Sequence, residues 1–177
     1  MQMWQADLRS LDAFQEWAER ESASVAFRRS LETQLEVDLG KDAEGVYLGF
    51  CSVCGVHRHF IYDRKYSDGQ TINWRERLVC RGCGLNNRLR LAWQITETLV
   101  DLQHDPIYLT EHLTPFAELM RNRAARVVCS EFLGERAKPG STNREGVRHE
   151  DLTRLSFRDQ SFKAVLSFDV FEHIPDY

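Results

Sequence analysis

The sequence predicts an α/β protein in three parts: a helical lead, a four-cysteine metal ribbon, and part of a doubly wound parallel sheet. Three observations carry this. Two Cys-x-x-Cys-Gly knuckles, Cys51-Ser-Val-Cys54-Gly55 and Cys80-Arg-Gly-Cys83-Gly84, stand 25 residues apart. After residue 106, β-rich runs alternate with helical ones and end on acids. Before residue 40, apolar residues recur at helical spacing. The expected organisation is a helical N-terminal region over 1–45, the ribbon over 46–86, a linking helix over 87–105 and the sheet domain over 106–177.

Residues 10–36 read as helix in two pieces. Ser10 caps the first, with Leu11, Phe14, Trp17 and Ala18 on one face; the second carries Phe27, Leu31 and Leu35 at four-residue steps. Such stripes are read as packing surface. Lys41 to Gly45 ends the helical region, and a short strand over 46–50 enters the first knuckle.

Two thiolates on one tight turn can share an ion, and the glycine after each pair permits the left-handed backbone that aims amides at sulfur. Between the knuckles, 56–62 and 71–79 read as strands joined by a turn at Ser67-Asp68-Gly69. Cys51, Cys54, Cys80 and Cys83 therefore form a closed tetrahedral zinc (Zn2+) site. The alternative, two redox pairs, lacks the strand-to-helix context that such pairs use. His57 and His59 are left as exposed strand residues because four thiolates saturate zinc, and Cys129 is read as a buried strand residue.

Residues 51–90 hold eight basic and three acidic side chains, +5 before the metal centre, while the whole chain is −4. Tyr62, Tyr66 and Trp74 add aromatic surface, so nucleic acid is a partner to consider but not the favoured one. With 42% hydrophobic and 28% charged residues the composition is that of a soluble globular protein. No run of 18 apolar residues and no secretory signal is present, so no membrane partner and a cytoplasmic location are expected.

Beyond the second knuckle, Asn87 caps a helix to about Asp101, with Leu89, Ala92, Trp93, Thr96, Leu99 and Val100 facing a core. Ile107 to Thr110 is a strand, and Thr114-Pro115 opens a helix carrying Phe116, Leu119 and Met120. Arg126 to Cys129, Val147 to Asp151 and Ala164 to Phe168 are further strands, the second of them after a turn-rich loop over 134–146. Ligands of such sheets bind outside the C-terminal strand ends.

The run Asp151-Leu-Thr-Arg-Leu-Ser-Phe-Arg-Asp-Gln-Ser-Phe-Lys-Ala-Val-Leu-Ser-Phe-Asp-Val-Phe-Glu-His-Ile174 resembles the middle of class I S-adenosylmethionine-dependent methyltransferases, in their type 11-like branch. The pattern there is D-x-x-x-L-P-F-x-D-x-S-F-D-x-V-x-x-x-x-V-L-E-H-I. The resemblance implies a Rossmann-like sheet, an S-adenosylmethionine cofactor and SN2 methyl transfer, to which the protein contributes mainly positioning. It places Glu131 on the ribose hydroxyls, Asp151 on the adenine amino group, Leu152 along the adenine, and Asp169 to His173 beside the methionine end and the acceptor. Glu111 is the matching acid for the cofactor's amino group. No general base stands out; His173 is the nearest candidate and is read as a packing residue.

Two departures are visible. The family's glycine-rich first loop is replaced by Ile107-Tyr-Leu-Thr-Glu-His-Leu-Thr-Pro115, without a glycine, and Lys163 stands where the family has Asp. The sheet is also expected to be truncated, since a full class I sheet has seven strands and about four are supplied. A homodimer or another partner is then expected to cover the open sheet edge. Two readings stay open: a methyltransferase-like protein with a structural zinc ribbon and an unknown methyl acceptor, or a non-catalytic ribbon module that contacts nucleic acid or protein as a scaffold.

Overall fold

The computed structural model describes residues 9–39 and 44–174. The chain divides into two units, Met1–Gly45 with Asp63–Trp74, and Val46–Tyr62 with Arg75–Tyr177.

In the first unit, α1 (Leu11–Leu39) is one continuous helix rather than two pieces. Ser10 Oγ accepts the Ala13 N–H at 3.1 Å, which is the expected N-cap bond. None of the helix residues is buried, and Phe14, Phe27 and Leu31 are exposed, so the stripes expected to pack do not. On the single helix, at 100° per residue, the two stripes point roughly 110° apart around one axis, so they do not form one narrow seam. The expected helix stop at Lys41 to Gly45 lies largely outside the described residues. The predicted turn forms: Asp68 Oδ1 accepts the N–H groups of Gln70 and Thr71 at 2.9 and 3.1 Å.

The ribbon strands are β1 (Glu44–Cys51), β2 (Val56–Asp63) and β3 (Val79–Cys80), in the order β1-β2-β3. The strand expected over 71–79 shrinks to two residues, paired antiparallel with Phe60 and Ile61. Helix α2 (Asn87–Leu99) takes the carbonyls such a strand would offer: Asn87 N–H donates to Arg77 O and Arg88 N–H to Arg75 O, at 3.1 and 3.0 Å. Leu78, at φ +54°, turns out of extended backbone, and its carbonyl accepts from the Arg90 guanidinium.

The cap of α2 is Asn86, one residue before the expected position, with Oδ1 accepting the Leu89 N–H at 2.9 Å. Arg90, Trp93 and Thr96 are its buried residues, whereas Leu99 is exposed instead of facing the core. Helix α3 (Pro115–Arg123) begins as expected, with Thr114 as N-cap and Pro115 in the first turn.

Strands β4 (Ile107–Leu109), β5 (Val127–Glu131), β6 (Arg148–His149) and β7 (Ala164–Leu166) form a parallel sheet in the order β6-β5-β4-β7. This is compatible with part of a Rossmann-like fold, where the chain winds outward from a central first strand in both directions.

Both faces of β4 are covered, as the alternation of a strand requires. Ile107 and Leu109 join a core with Phe116, Met120 and Trp93, in which the rings of Phe116 and Phe168 are 4.8 Å apart. Tyr108 points the other way, onto Phe157 and Phe162 at 4.9 and 5.4 Å. The first core runs on into the ribbon through Leu85, Cys80, Cys51, Val53 and Phe60. Gly84 is needed twice at that junction: its φ is +74°, and a Cβ there would lie 3.3 Å from the Pro115 ring. Cys129 is buried, as expected. No helix among the described residues is long and apolar enough to cross a membrane.

Candidate functional site

Two places gather chemistry, the cysteine cluster and a cleft at the strand ends. The four predicted ligands converge, with every Sγ within 4.8 Å of the others. Cys51 and Cys83 are 3.8 Å apart, and Cys54 and Cys80 are 3.9 Å apart. A tetrahedron with 2.3 Å metal–sulfur bonds has edges of about 3.8 Å, so the cluster fits a zinc ribbon and could hold one metal ion without rearrangement. Gly55 and Gly84 adopt the left-handed conformation at φ +71° and +74°, and the Gly82 N–H donates to Cys80 Sγ at 3.3 Å. His57 and His59 are exposed on β2, as expected.

The sequence pointed to no partner for this cluster's charge, and the structure supplies Arg90. It is buried with its guanidinium 4.6 Å over the Phe60 ring, and donates to Leu85 O and Asn87 Oδ1, each at 3.0 Å. Burial lowers its pKa, while the thiolate form of all four cysteines works in the opposite direction. Spacing along α2 marks this position as inward-facing, but an arginine there does not read as core.

The second place lies where a parallel sheet binds ligands, outside the C-terminal ends of its strands. A cleft of about 590 Å³, a volume suited to a small molecule, is lined by Glu131, Asp151, Leu152, Asp169 and His173 among others. Four of the five predicted cofactor residues thus meet in one cavity. Glu111 does not line it: it is buried, with Oε1 accepting the Thr114 hydroxyl at 2.8 Å. Burial raises the Glu111 pKa, and the charges of Glu131 and Asp169 push the same way.

The glycine-free loop folds onto the acid at the end of β5. Glu131 Oε1 accepts the N–H groups of His112 and Leu113 at 2.8 and 3.1 Å. Its Oε2 has no hydrogen bond among the described residues. Asp151 Oδ1 accepts the Thr153 hydroxyl at 2.7 Å and its N–H at 2.9 Å, which together hold the carboxyl below its ordinary range. Asp169 follows β7 in left-handed backbone, φ +54°, with Oδ2 2.5 Å from Arg88 Nη2. Lys163, the departure from the resemblance, is exposed and is not a lining residue.

Glu150 lines the cleft and was not foreseen. Its side chain is fully buried 2.7 Å from Arg148 Nη2, and it accepts from Ser156 N at 2.8 Å and from Ser156 Oγ at 2.6 Å. Burial pushes its pKa up, but the Ser156 and Arg148 bonds prevail and the carboxyl sits low. Arg148 in turn lies 4.7 Å over the Phe157 ring. The signal was an Arg-x-Glu pair at i and i+2, which a strand directs to one side. Of the aromatic side chains read as surface, Tyr62 and Trp74 are buried and only Tyr66 is exposed, which removes most of the expected stacking platform.

The cleft acids suit a ligand with hydroxyl or amino donors and positive charge, since carboxylate oxygens accept from such donors and offset a cation. The methionine end differs from the pattern, since the loop that would leave open space there carries Glu111, His112 and Leu113.

A family model described as a methyltransferase domain matches residues 111–177. No curated protein and no solved structure matches the chain.

Proposed function

We propose, from the match of residues 111–177 to a methyltransferase-domain family model and their resemblance to the class I type, that this chain binds S-adenosylmethionine in the strand-end cleft. The observation that carries the reading is the meeting of Glu131, Asp151, Leu152 and Asp169 around one cavity in a parallel sheet. Glu131 Oε2 and Asp151 would take the ribose and adenine ends, Leu152 would pack on the base, and Asp169 would face the methionine end. The cofactor supplies an electrophilic methyl group, and the protein contributes orientation and exclusion of water. The four cysteines hold zinc as a structural ion, with four protein ligands and no open position. The acceptor is an unknown nucleophile; His173, expected to pack, is instead exposed and lines the cleft, where it is the candidate to serve as base.

A second reading is favoured by one observation. The loop amides of His112 and Leu113 already occupy one oxygen of Glu131, and Glu111 is buried against Thr114. Acids so engaged favour the alternative, a non-catalytic ribbon module that contacts nucleic acid or protein as a scaffold. Unfolding of the zinc-loaded chain with and without S-adenosylhomocysteine tests binding itself. A ligand at a hundred times its Kd stabilises by about 2.7 kcal/mol, and an unchanged midpoint at millimolar ligand argues against the cleft. Methyl transfer to a library of nucleophiles separates the two readings.

A further inference from the structure

One charged chain connects the ribbon with the cleft. Arg88, on the first turn of α2, directs Nε to Glu76 Oε1 at 3.0 Å and Nη2 to Asp169 Oδ2 at 2.5 Å. Glu76 precedes β3 and accepts from Asn86 Nδ2, the side chain that caps α2, at 2.9 Å. The start of α2 is itself bound to the ribbon, through Arg88 N–H on Arg75 O and Asn87 N–H on Arg77 O. Within the second knuckle, Cys80 N–H donates to Leu85 O, and Leu85 O also accepts from the buried Arg90. Arg88 is therefore placed by the same turns that place the cysteines.

At the other end of this charged chain, Asp169 holds left-handed backbone, φ +54°, which few L-residues other than Asn and Asp adopt, and its side chain is half exposed. Such backbone persists where surrounding contacts over-determine it, and such residues cluster at ligand sites. The Arg88 contact is such a constraint. It also reduces the repulsion among Glu111, Glu131 and Asp169, which otherwise bring three acids close together.

We propose that Arg88 is a positioning residue, through which the metal-ordered ribbon sets the orientation of Asp169 and hence the affinity of the cleft for a cationic nucleoside. This rests on the cofactor reading above and deepens it. A ribbon joined to a sheet domain then acts on ligand affinity although no cysteine lines the cleft.

The test uses the full zinc-loaded chain of wild type, Arg88→Gln, Arg88→Lys, Asp169→Asn and the Arg88→Gln/Asp169→Asn double variant, each titrated calorimetrically with S-adenosylmethionine, which carries the sulfonium charge. Arg88→Gln is expected to weaken binding about tenfold, with metal content and urea midpoint close to wild type. Arg88→Lys is expected to recover part of the loss, because it restores the charge without the fork. The double variant is expected to bind no more weakly than Asp169→Asn alone, since the two changes remove one interaction. Should Arg88→Gln fail to fold, Glu76→Gln, which frees Arg88 from the ribbon without touching the cleft, is expected to weaken binding in the same direction. Equal affinity of wild type and the folded Arg88 or Glu76 variant overturns the role of Arg88 alone. Absence of heat with wild type overturns the cofactor reading and this inference with it.

Discussion

The Glu131 carboxylate accepts the His112 amide at 2.8 Å, so the acid at the end of β5 holds the glycine-free loop in place. With Leu113 as second donor, one oxygen satisfies two backbone N–H groups. Replacing Glu131 by Ala is expected to cost about 0.5 to 1.5 kcal/mol, the net worth of a hydrogen bond whose donors water can reach, since one amide is half-buried and the other exposed. Glu131→Gln keeps a carbonyl for them and is expected to lose under about 1 kcal/mol. Urea unfolding at matched slopes measures both. A larger loss for Gln than for Ala would contradict the geometry.

Glu111 gives a pH-dependent signature. Its folded pKa lies above the ordinary 4.5 because it is buried, with Glu131 and Asp169 adding to the effect. The folded state therefore binds this proton more tightly than the unfolded one, and stability falls as pH rises through the folded pKa. Glu111→Gln removes that loss while keeping an acceptor for the Thr114 hydroxyl. The variant is expected to match wild type near pH 4 and to exceed it increasingly as pH rises toward 7, until the advantage levels off. Chemical unfolding across that range reads it, and a constant difference would refute it.

The Arg148 and Glu150 pair predicts a larger effect. Glu150 is fully buried, while Arg148 keeps about a third of its side chain in solvent. Arg148→Met leaves the carboxylate with only its Ser156 bonds and removes the cation over Phe157. The expected cost is about 3 kcal/mol at pH 7, at the lower end for a broken buried pair because Arg148 is partly solvated. Adding Glu150→Gln is expected to recover part of it. A cost below about 1 kcal/mol would show that the pair is not needed to keep Glu150 ionised.

The cysteine cluster predicts one zinc ion per chain by elemental analysis. Cys83→Ser is expected to reduce the metal content sharply and to lower the unfolding midpoint, since metal binding at such a site is part of the folding free energy. Cys129→Ser, which alters a buried thiol away from the cluster, is expected to leave the zinc content unchanged. Equal zinc in both variants would contradict the ligand assignment.

What the sequence revealed and what it hid follow from the range of the interactions involved. The knuckles were legible because each places two ligands and a left-handed glycine within five residues. The α3 start was legible because Thr114 and Pro115 act on the turn beside them. The third ribbon strand was not, because the carbonyls of Arg75 and Arg77 go to α2, a choice made by tertiary packing. Arg90 was hidden for the same reason: its burial depends on the carbonyls of Leu78 and Leu85 and on the Phe60 ring converging on it. In the cleft, Glu131, Asp151, Leu152 and Asp169 were read through resemblance, and the geometry brings them to one cavity. The place of Glu111, turned from the cleft to Thr114, was beyond the pattern because the loop around it departs from the family.

Whether the strand-end cleft is a cofactor site is decided by calorimetry with S-adenosylmethionine and S-adenosylhomocysteine on the zinc-loaded chain. The expected result is a Kd tighter than about 100 μM, near −5.5 kcal/mol, that is lost on Asp151→Ala. No heat at millimolar ligand, or an affinity that Asp151→Ala leaves unchanged, would contradict it.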